Sequence, residues 1–506
     1  MRVGILEVMT TPSRSWGDRI YHGLFVKQYA SLIPQAISVW CRQLGCETFY
    51  ATYYGVGRPE RLLPQDLDLV YLCGCTGASS LIYALAKLYR KAGTFTVIGG
   101  PHAESFPADC LRFFDLVVKD CDKALIADII KGNFEPGQYI SSAKPFDDCP
   151  TVEERMPEIR ASSLFQKKWP GVITVIPIIT SRGCPYTCDF CVDWDTPYRL
   201  LSTDRLLADI KYIKKNFSNP LMGFNDPNFA IQFDRVFNVL EAIPPEERVP
   251  YAMECSLSIL NESRIKRLKE TKCQVTIHGI ESWQNYSNKV GLKNKEGIEK
   301  VERVAEHLER VNKSAPYMQV GLMFGLDTDA GEEPIALMKQ FMEKTPFAWP
   351  AINIPMPFGG TPMFDNYKAS DRILKEMPFL FYSYPYLVTT IKNYDPTTYL
   401  EKLIELSDFI SSPEMLKRRI KSTSNWRIQF FHYLRTWGEK ENKKRYGELL
   451  TMLRSDSQFR AFHEGKSQKL PEFYRNRFDE LLGSYGELLS EAERTPCLEQ
   501  LTPQIA

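Results

Sequence analysis

Three cysteines lie within eight residues of one another in the segment SRGCPYTCDFC, residues 181–191. Cys184, Cys188 and Cys191 have the spacing C-x3-C-x2-C and follow the apolar run VITVIPIIT. Thiolates are soft ligands that select zinc or iron–sulfur clusters. Barrel enzymes place their chemistry at the carboxyl ends of strands. The spacing therefore predicts a metal centre in a loop that follows a strand.

The number of thiolates narrows the kind of metal centre. Structural zinc usually takes four ligands, and finger-type sites supply them as two separated pairs. No second pair is at usable spacing, because Cys255 and Cys273 are in different predicted elements and His278 is on another predicted strand. Iron–sulfur clusters favour cysteine ligands, and a cubane held by three thiolates keeps one iron open for a small molecule. We therefore favour a cluster, with structural zinc and a chance grouping as the alternatives.

Composition limits the class of protein that carries this centre. The 506 residues predict about three domains, at roughly 150 residues each. The 63 basic and 62 acidic residues give a net charge of +1, without the basic excess of nucleic-acid binders. The first residues do not read as a secretory signal, and no run of about 18 apolar residues predicts a transmembrane segment. Thirteen cysteines then indicate reduced thiols, so we expect a cytoplasmic protein.

Strand and helix patterns divide the chain into four parts and predict an α/β fold. Residues 1–131 alternate five apolar strands with helices, which predicts a parallel, Rossmann-like (flavodoxin-like) sheet covered on both faces. Residues 132–169 are rich in Gly, Pro, Ser and Asp and read as a linker. Residues 170–366 contain six strand–helix units, fewer than the eight of a full barrel, and predict a partial (β/α)6 TIM-type barrel. Residues 367–506 predict a helical, aromatic-rich cap.

The loops of the first domain indicate where that domain binds a ligand. Open parallel sheets bind ligands in the crevice beyond the carboxyl ends of their strands. The loops at this edge cover residues 9–16, 74–79, 99–102 and 119–122. Their glycines, including Gly74, Gly77, Gly99 and Gly100, would let the backbone approach a flat ligand closely.

The segment SRGCPYTCDFC resembles the signature of the radical S-adenosylmethionine (radical SAM) enzymes. In that family a 4Fe–4S cluster binds SAM through its open iron and cleaves it to a 5′-deoxyadenosyl radical. The resemblance implies that Cys184, Cys188 and Cys191 hold the cluster. It also implies SAM contacts at Phe190, at Asp226 and Asn228 in FNDPNF, at Glu281 and Ser282 in IHGIES, and at Gly321 and Gly325 in GLMFGLD. The family more often has Gly-Gly-Glu at the FNDPNF position, and carboxylates at strand ends also serve as turn residues.

The first domain is similar to that of the cobalamin-dependent subclass, through the segment VIGGPHAESFPADCLRFFDLVVKDCDK, and the likeness extends over residues 1–365. It implies cobalamin contacts at Thr10, Thr11, Gly74, Thr76, Gly77, Ser79, Gly99, Gly100, Pro101, His102, Lys119 and Asp120. The Asp-x-His-x-x-Gly motif that supplies a cobalt ligand is missing, and His22 has the wrong spacing for it. We therefore expect the lower face of cobalt to lack a histidine ligand. A nucleotide or flavin fold is the alternative, although no G-x-G-x-x-G follows the first strand.

Together these resemblances imply a cobalamin-dependent radical SAM C-methyltransferase that acts on an unactivated carbon. Its cofactors would be a 4Fe–4S cluster, SAM and cobalamin, and no catalytic residue is assigned. Its partners would be a small-molecule substrate and an external reductant such as flavodoxin or ferredoxin. An apolar substrate could use the aromatic-rich residues 379–390 and 424–438, although such residues also form helical cores. The alternatives are a cyclase or ring-rearranging enzyme with the same cofactors, and a non-catalytic iron–sulfur sensor or electron-transfer protein.

Overall fold

A computed structural model describes residues 1–164, 172–286, 289–292 and 295–506. The first part of the chain folds as a parallel sheet covered by helices. Its elements are β1 (Arg2–Val8), α1 (Trp16–Leu24), α2 (Leu32–Gln43), β2 (Glu47–Tyr53), β3 (Leu69–Gly74), α3 (Ser79–Lys91), β4 (Phe95–Gly99), α4 (Pro101–Ser105), α5 (Pro107–Cys110), β5 (Leu116–Val118), α6 (Lys123–Ile130), β6 (Gln138–Ser141) and α7 (Met156–Ser162).

The order β6-β5-β4-β3-β1-β2 places β1 between β2 and β3. All these pairings are parallel. The chain runs outward from β1 in both directions, so β1 and β3 form the switch point where such sheets open a crevice. Residues 3–8 of β1 are buried, as expected for a parallel strand covered on both faces. The flavodoxin-like prediction is confirmed.

The segment that sequence analysis treats as a linker contains regular structure. It supplies β6 at the sheet edge and α7. The Arg155 guanidinium is fully buried and donates to the Gln35 side chain of α2 (2.8 Å) and to the Pro177 carbonyl (3.0 Å). Composition misleads here because a four-residue strand and a seven-residue helix are too short to show a period among Gly and Pro. Arg155 of this segment therefore connects α2 to the strand that contains Pro177.

The second part of the chain forms the predicted open barrel. Its elements are β7 (Thr174–Ile178), β8 (Ser181–Arg182), β9 (Arg199–Leu200), α8 (Thr203–Asn216), β10 (Pro220–Phe224), α9 (Phe233–Glu241), β11 (Tyr251–Glu254), α10 (Glu262–Glu270), β12 (Cys273–Glu281), α11 (Gly297–Asn312), β13 (Tyr317–Met323), α12 (Glu333–Lys344) and β14 (Ala348–Asn353). The order β14-β13-β12-β11-β10-β7 follows the chain, and every pairing is parallel. The six predicted strands are confirmed.

The third part is mostly helical. Its elements are α13 (Pro362–Ala369), α14 (Pro396–Ile410), α15 (Pro413–Lys421), α16 (Trp426–Ser455), α17 (Ser457–His463), α18 (Glu472–Leu482), α19 (Glu491–Arg494) and β15 (Gln504–Ile505). The last strand, β15, pairs in parallel with β6 and becomes the seventh strand of the first sheet. The helical prediction is confirmed, but the tail also returns to the amino-terminal sheet. No helix within the described ranges is both long and apolar enough to cross a membrane.

Candidate active site

The three motif cysteines lie on one loop, residues 183–191, which we call the cysteine loop. It begins at Gly183, whose φ is +70°. A Cβ at Gly183 would lie 2.4 Å from the Pro197 carbonyl oxygen, so only glycine fits this close approach. The Cys184 amide donates to the Thr196 carbonyl (3.2 Å), and the Cys191 amide donates to the Cys188 carbonyl (3.1 Å). Backbone bonds thus fix the loop just beyond the carboxyl end of β7.

The thiols of this loop are held in a partly apolar environment. Burial raises the pKa of the Cys188 thiol to about 11, and Lys289 opposes the shift. Burial also raises the pKa of Cys191. The Asn228 side-chain amide points a donor at the Cys184 sulfur, 3.6 Å away. Among the described residues, no three Cys, His, Asp or Glu side chains are gathered around one point where a single ion could sit. The set of three soft donors nevertheless fits an iron–sulfur cluster, whose charge would deprotonate the thiols.

Lys289 and Glu281 form a buried charged pair beside the cysteine loop, 3.9 Å apart. Glu281 ends β12 at an irregularity in the strand register and has a φ of +68°. Burial raises the pKa of its carboxyl to about 7, and Lys289 opposes this shift. Burial lowers the pKa of Lys289, but the thiols and carboxylates around it produce a net increase. Sequence reasoning missed Lys289, because a lone lysine near a strand end carries no pattern.

Gly279 makes room for the Glu281 carboxylate. A Cβ at Gly279 would lie 2.2 Å from Glu281 Oε1. Gly279 pairs in register with Gly321 on β13, and Gly321 pairs with Ala351 on β14. A Cβ at Gly321 would meet only ordinary contacts at 3.8 Å or more. This row of small, partly exposed residues keeps the neighbouring side of the barrel strands open.

Phe190 packs beside the same pair. Its ring stacks on Tyr286 at a centroid distance of 6.1 Å and an angle of 14°. The Lys289 ammonium lies 5.8 Å from the Phe190 ring centroid. The Tyr286 hydroxyl donates to the Asp189 carboxylate. The predicted SAM-contacting residues Phe190 and Glu281 therefore both lie beside Lys289.

The side chains of Asp226 and Asn228 form hydrogen bonds with other residues of the protein. The buried Asp226 carboxylate accepts hydrogen bonds from the Thr180 amide (3.1 Å), the Thr180 hydroxyl (2.6 Å) and the Ser181 hydroxyl (2.5 Å). Asn228 accepts from the Ser256 amide (3.0 Å) and donates to the Ser256 hydroxyl (2.7 Å). Asp226 thus fixes the residues that lead into the cysteine loop. Its predicted contact with SAM stays a prediction.

The two remaining predicted SAM residues lie in turns. The Ser282 hydroxyl accepts from the Gln284 amide (3.1 Å). Gly325 has a φ of +100°, and a Cβ there would lie 2.7 Å from the Tyr399 ring. The Gly325 amide donates to Asp329 (2.9 Å). Tyr399 belongs to α14, so the helical tail covers the end of β13 at this point.

A cavity of about 440 Å³, which we call the crevice cavity, lies beyond the carboxyl ends of β1, β3, β4 and β5. Six of the predicted cobalamin residues line it: Gly74, Gly99, Gly100, Pro101, Lys119 and Asp120. Its other walls include Ile33, Pro34 and Ile37, so they are largely apolar. The buried Glu7 also lines it, and burial raises the pKa of this carboxyl to about 7.

Three other predicted cobalamin residues, Thr10, Thr11 and Gly77, line a second cavity of about 330 Å³, which we call the polar cavity. Arg14, Arg445 and Arg477 also line it. The two cavities share Met9 and Cys75 and are therefore adjacent. Thr76 and Ser79 are buried nearby in the chain and line neither cavity.

His102 lies away from both cavities. It is fully buried, and its Nε2 is 2.5 Å from the Tyr83 hydroxyl. The Tyr83 hydroxyl donates to Asp109 (2.6 Å), so we assign the Nε2 proton to His102 as the donor. Burial lowers the pKa of His102 to about 3. The side chain is a neutral part of the domain core, and the structure does not bring it to the other predicted cobalamin residues.

Charged side chains join the crevice cavity to the cysteine loop. Arg182, two residues before Cys184, forms an ion pair with Asp120 of the crevice cavity. Lys119 lies 3.5 Å from Glu104, which also lines the cavity. Burial, followed by the charge of Asp120, raises the pKa of Glu104 to about 7. The two predicted cofactor regions therefore meet at one boundary, and the sequence motifs alone do not show this contact.

Comparison with known proteins agrees with this arrangement. Residues 178–341 match the radical SAM superfamily. The chain is 25% identical over 359 residues to the bacteriochlorophyllide d C-8(2)-methyltransferase of Chlorobaculum tepidum. This match covers 67% of this chain and 77% of that protein.

Two solved structures share the fold. The radical S-adenosylmethionine methyltransferase TsrM from Kitasatospora setae, solved with cobalamin and a 4Fe–4S cluster, has a TM-score of 0.51 and 15% identity, over 73% of this chain and 78% of that one. The cobalamin-dependent S-adenosylmethionine radical enzyme OxsB, solved with aqua-cobalamin and SAM, has a TM-score of 0.55 and 12% identity, over 96% of this chain and 79% of that one.

Residues 178–341 therefore form a radical SAM domain, and the cysteine loop lies just beyond the carboxyl end of its first strand. The prediction made from the cysteine motif is confirmed at this level. The similar curated protein is a methyltransferase. Of the three predicted cofactors, the TsrM structure contains cobalamin and the cluster, and the OxsB structure contains aqua-cobalamin and SAM.

Proposed function

We propose that this protein is a cobalamin-dependent radical SAM methyltransferase that adds a methyl group to an unactivated carbon of an apolar small molecule. The observation that carries the proposal is the ion pair between Arg182, which directly precedes the cysteine loop, and Asp120, which lines the crevice cavity. A radical methyl transfer needs the hydrogen-abstracting and methyl-donating cofactors close to one substrate carbon. The cysteine loop and the crevice cavity are adjacent, so cofactors bound at these two sites would satisfy this requirement.

The residues of the barrel fit the first cofactor pair. Cys184, Cys188 and Cys191 would hold the 4Fe–4S cluster, and Lys289 and Glu281 would lie beside bound SAM. A cluster with SAM supplies hydrogen abstraction, and cobalamin supplies the methyl group. The protein contributes a site that excludes water, since the Cys188 and Glu281 side chains are buried.

The two cavities of the first domain fit the second cofactor. The largely apolar crevice cavity, with its glycine edges, suits the face of a flat ring. The adjacent polar cavity, with its three arginines, suits a polar tail. His22 lines the polar cavity, whereas the described lining of the crevice cavity contains no histidine. This difference supports the proposal that no imidazole of the crevice cavity would bind cobalt.

Methyl transfer and an apolar substrate are supported by similarity. The curated relative is named for methylating bacteriochlorophyllide d. The barrel strands of this chain carry a row of Gly279, Gly321 and Ala351 that leaves space next to Glu281. An external reductant, such as a flavodoxin or ferredoxin, would be needed because SAM cleavage consumes an electron.

Product analysis tests the proposal. The purified chain, reconstituted anaerobically with iron, sulfide and hydroxocobalamin, is given SAM, a chemical reductant and candidate apolar substrates. We expect 5′-deoxyadenosine and S-adenosylhomocysteine in similar amounts, with a methylated product. The Cys188→Ala variant should lose both products, while the matched Cys46→Ala variant, outside the site, keeps them. If a substrate is consumed and 5′-deoxyadenosine forms without S-adenosylhomocysteine, the result would contradict methyl transfer.

A further inference from the structure

Exposed apolar side chains are concentrated in two segments of the described chain. Nine of the sixteen large apolar side chains that are exposed lie in residues 16–29 and 426–437. They are Trp16, Ile20, Tyr21, Leu24, Tyr29, Trp426, Phe430, Tyr433 and Trp437, and we call them the aromatic patch. Large exposed apolar patches mark sites of interaction with proteins or membranes. Nothing in the proposed chemistry uses these side chains.

The first segment is an amphipathic helix without a partner for its apolar face. Trp16, Ile20 and Leu24 are four residues apart in α1 and therefore lie on one face. None of the nine residues of α1 is buried. A surface helix normally packs its apolar face on a core. The apolar face of α1 thus remains available for another surface.

The second segment repeats this arrangement at the start of α16. Trp426, Phe430, Tyr433 and Trp437 recur at intervals of four, three and four residues, and each is at least 54% exposed. The opposite face of the same turns is buried through Ile428, His432 and Thr436. The two segments meet where the rings of Phe25 and Phe431 lie 6.4 Å apart. The two segments are therefore adjacent.

Positive charge is concentrated in the chain around the second segment. Residues 413–444 contain nine Lys and Arg but only three Glu, whereas the whole chain has a net charge of +1. Six of these basic side chains are exposed: Lys417, Arg418, Lys421, Arg427, Lys440 and Lys444. An isologous contact between two copies would bring these like charges together, which is unfavourable. An anionic surface would be attracted.

We propose that the aromatic patch docks the protein on the surface of an anionic phospholipid bilayer. Tryptophan and tyrosine are enriched at membrane–water interfaces. Helices with Trp, Phe and Leu on one face and basic residues beside them lie in the plane of that interface. Each lysine or arginine near the surface adds attraction to anionic lipids. This docking is independent of methyl transfer and would give the enzyme access to an apolar substrate dissolved in the bilayer.

Vesicle flotation with the full chain tests the docking. The probes are vesicles of phosphatidylcholine alone and of phosphatidylcholine with about 30% phosphatidylglycerol. We expect binding to the anionic vesicles that weakens with added salt. The Trp426→Gln/Trp437→Gln double variant should lower the partition coefficient by roughly tenfold or more. Ile298→Gln removes a 46% exposed apolar side chain on α11 and should leave binding unchanged.

Two further measurements test the docking: one uses a variant with reversed charges, and the other uses the unmodified protein. Lys417→Glu/Arg418→Glu should remove the preference for anionic vesicles. In the unmodified protein, brominated lipids should quench tryptophan fluorescence, which does not depend on the folding of any variant. Absence of binding to anionic vesicles would overturn the proposal, as would equal binding by the tryptophan double variant. A dimer in light scattering that the tryptophan variant dissociates, without vesicle binding, would assign the patch to a second copy instead.

Discussion

The Arg182 guanidinium and the Asp120 carboxylate form a largely buried ion pair that joins the cysteine loop to the crevice cavity. Arg182 ends β8 and Asp120 lies in the loop after β5, so the two residues are 62 positions apart in the chain. We expect the Arg182→Met variant to form 5′-deoxyadenosine while making less S-adenosylhomocysteine, because the two sites lose their fixed relation. The ratio of the two products, measured by chromatography, checks this expectation.

The control for this prediction is Arg454→Met, which removes an exposed pair with Glu401 far from the two sites in sequence. Exposed pairs contribute about 0–1 kcal/mol, so the control should keep the wild-type ratio. An unchanged ratio in Arg182→Met, with normal cofactor content, would show that the ion pair does not couple the two sites.

Replacement of Gly279 by alanine should displace Glu281. The added Cβ would lie 2.2 Å from Glu281 Oε1, which forces the carboxylate to move. We expect SAM affinity to fall by about tenfold or more while the iron content stays at the wild-type value, because the cysteine loop is on another element. Equilibrium dialysis with labelled SAM, together with iron analysis, measures both quantities.

Gly223→Ala is the matched control for that substitution. Gly223 is also within a barrel strand, but its Cβ would lie 3.4 Å from the Val175 side chain, an ordinary contact. Equal losses of SAM affinity in the two variants would mean that the position of Glu281 does not govern SAM binding.

Loss of the Asp226 carboxylate should loosen the entry to the cysteine loop. Asp226 accepts hydrogen bonds from Thr180 and from Ser181, and the amide of Asp226→Asn keeps only one oxygen acceptor. We expect a destabilisation of about 1–3 kcal/mol and less iron bound after reconstitution. Urea unfolding and iron analysis check both, with the exposed Asp204→Asn as the control. Full iron content in Asp226→Asn would argue against this positioning role.

Protonation of buried histidines in acid should destabilise the fold. His463 lies outside the candidate site, so a substitution there tests this effect without changing the site. Burial lowers the pKa of His463 to about 3, whereas an unfolded histidine titrates near 6.5. Its contribution to stability is therefore complete above about pH 6.5 and is lost as the pH falls from there towards 3.

Between pH 7.5 and 5.5 this single residue lowers the free energy of unfolding by about 1.4 kcal/mol. The His463→Gln variant should lose about that much less stability than the wild type over the same interval, as measured by urea unfolding at the two pH values. Parallel losses in the two proteins would show that His463 is not held neutral in the fold. The buried Glu7, Glu104 and Glu281, whose pKa values are raised to about 7, act in the opposite direction in both proteins, so the difference between the proteins measures His463 alone.

Local sequence patterns predict which strands and helices form, but they do not predict which of these elements contact one another in the fold. The apolar strands of the two parallel sheets are evident from the sequence because both faces of a parallel strand are buried. The edge strands β6 and β15 are short, and their pairing depends on a tail more than 360 residues away. No local pattern encodes such a contact.

The candidate site can likewise be predicted only in part from local sequence. The spacing of Cys184, Cys188 and Cys191 is local and was read directly from the sequence. Lys289 and Gly279 act through contacts with Glu281, which only the folded barrel creates. The twelve predicted cobalamin residues share strand-end loops, but side-chain direction and burial divide them between two cavities and the core.

Spectroscopy of the reconstituted cysteine loop tests the central claim most directly. The purified, oxygen-protected chain should bind about four iron and four sulfide per chain. Its reduced form should give an electron paramagnetic resonance signal that changes when SAM is added, and Cys188→Ala should lose that signal. Zinc at the loop, or a cluster signal that SAM leaves unchanged, would contradict the account.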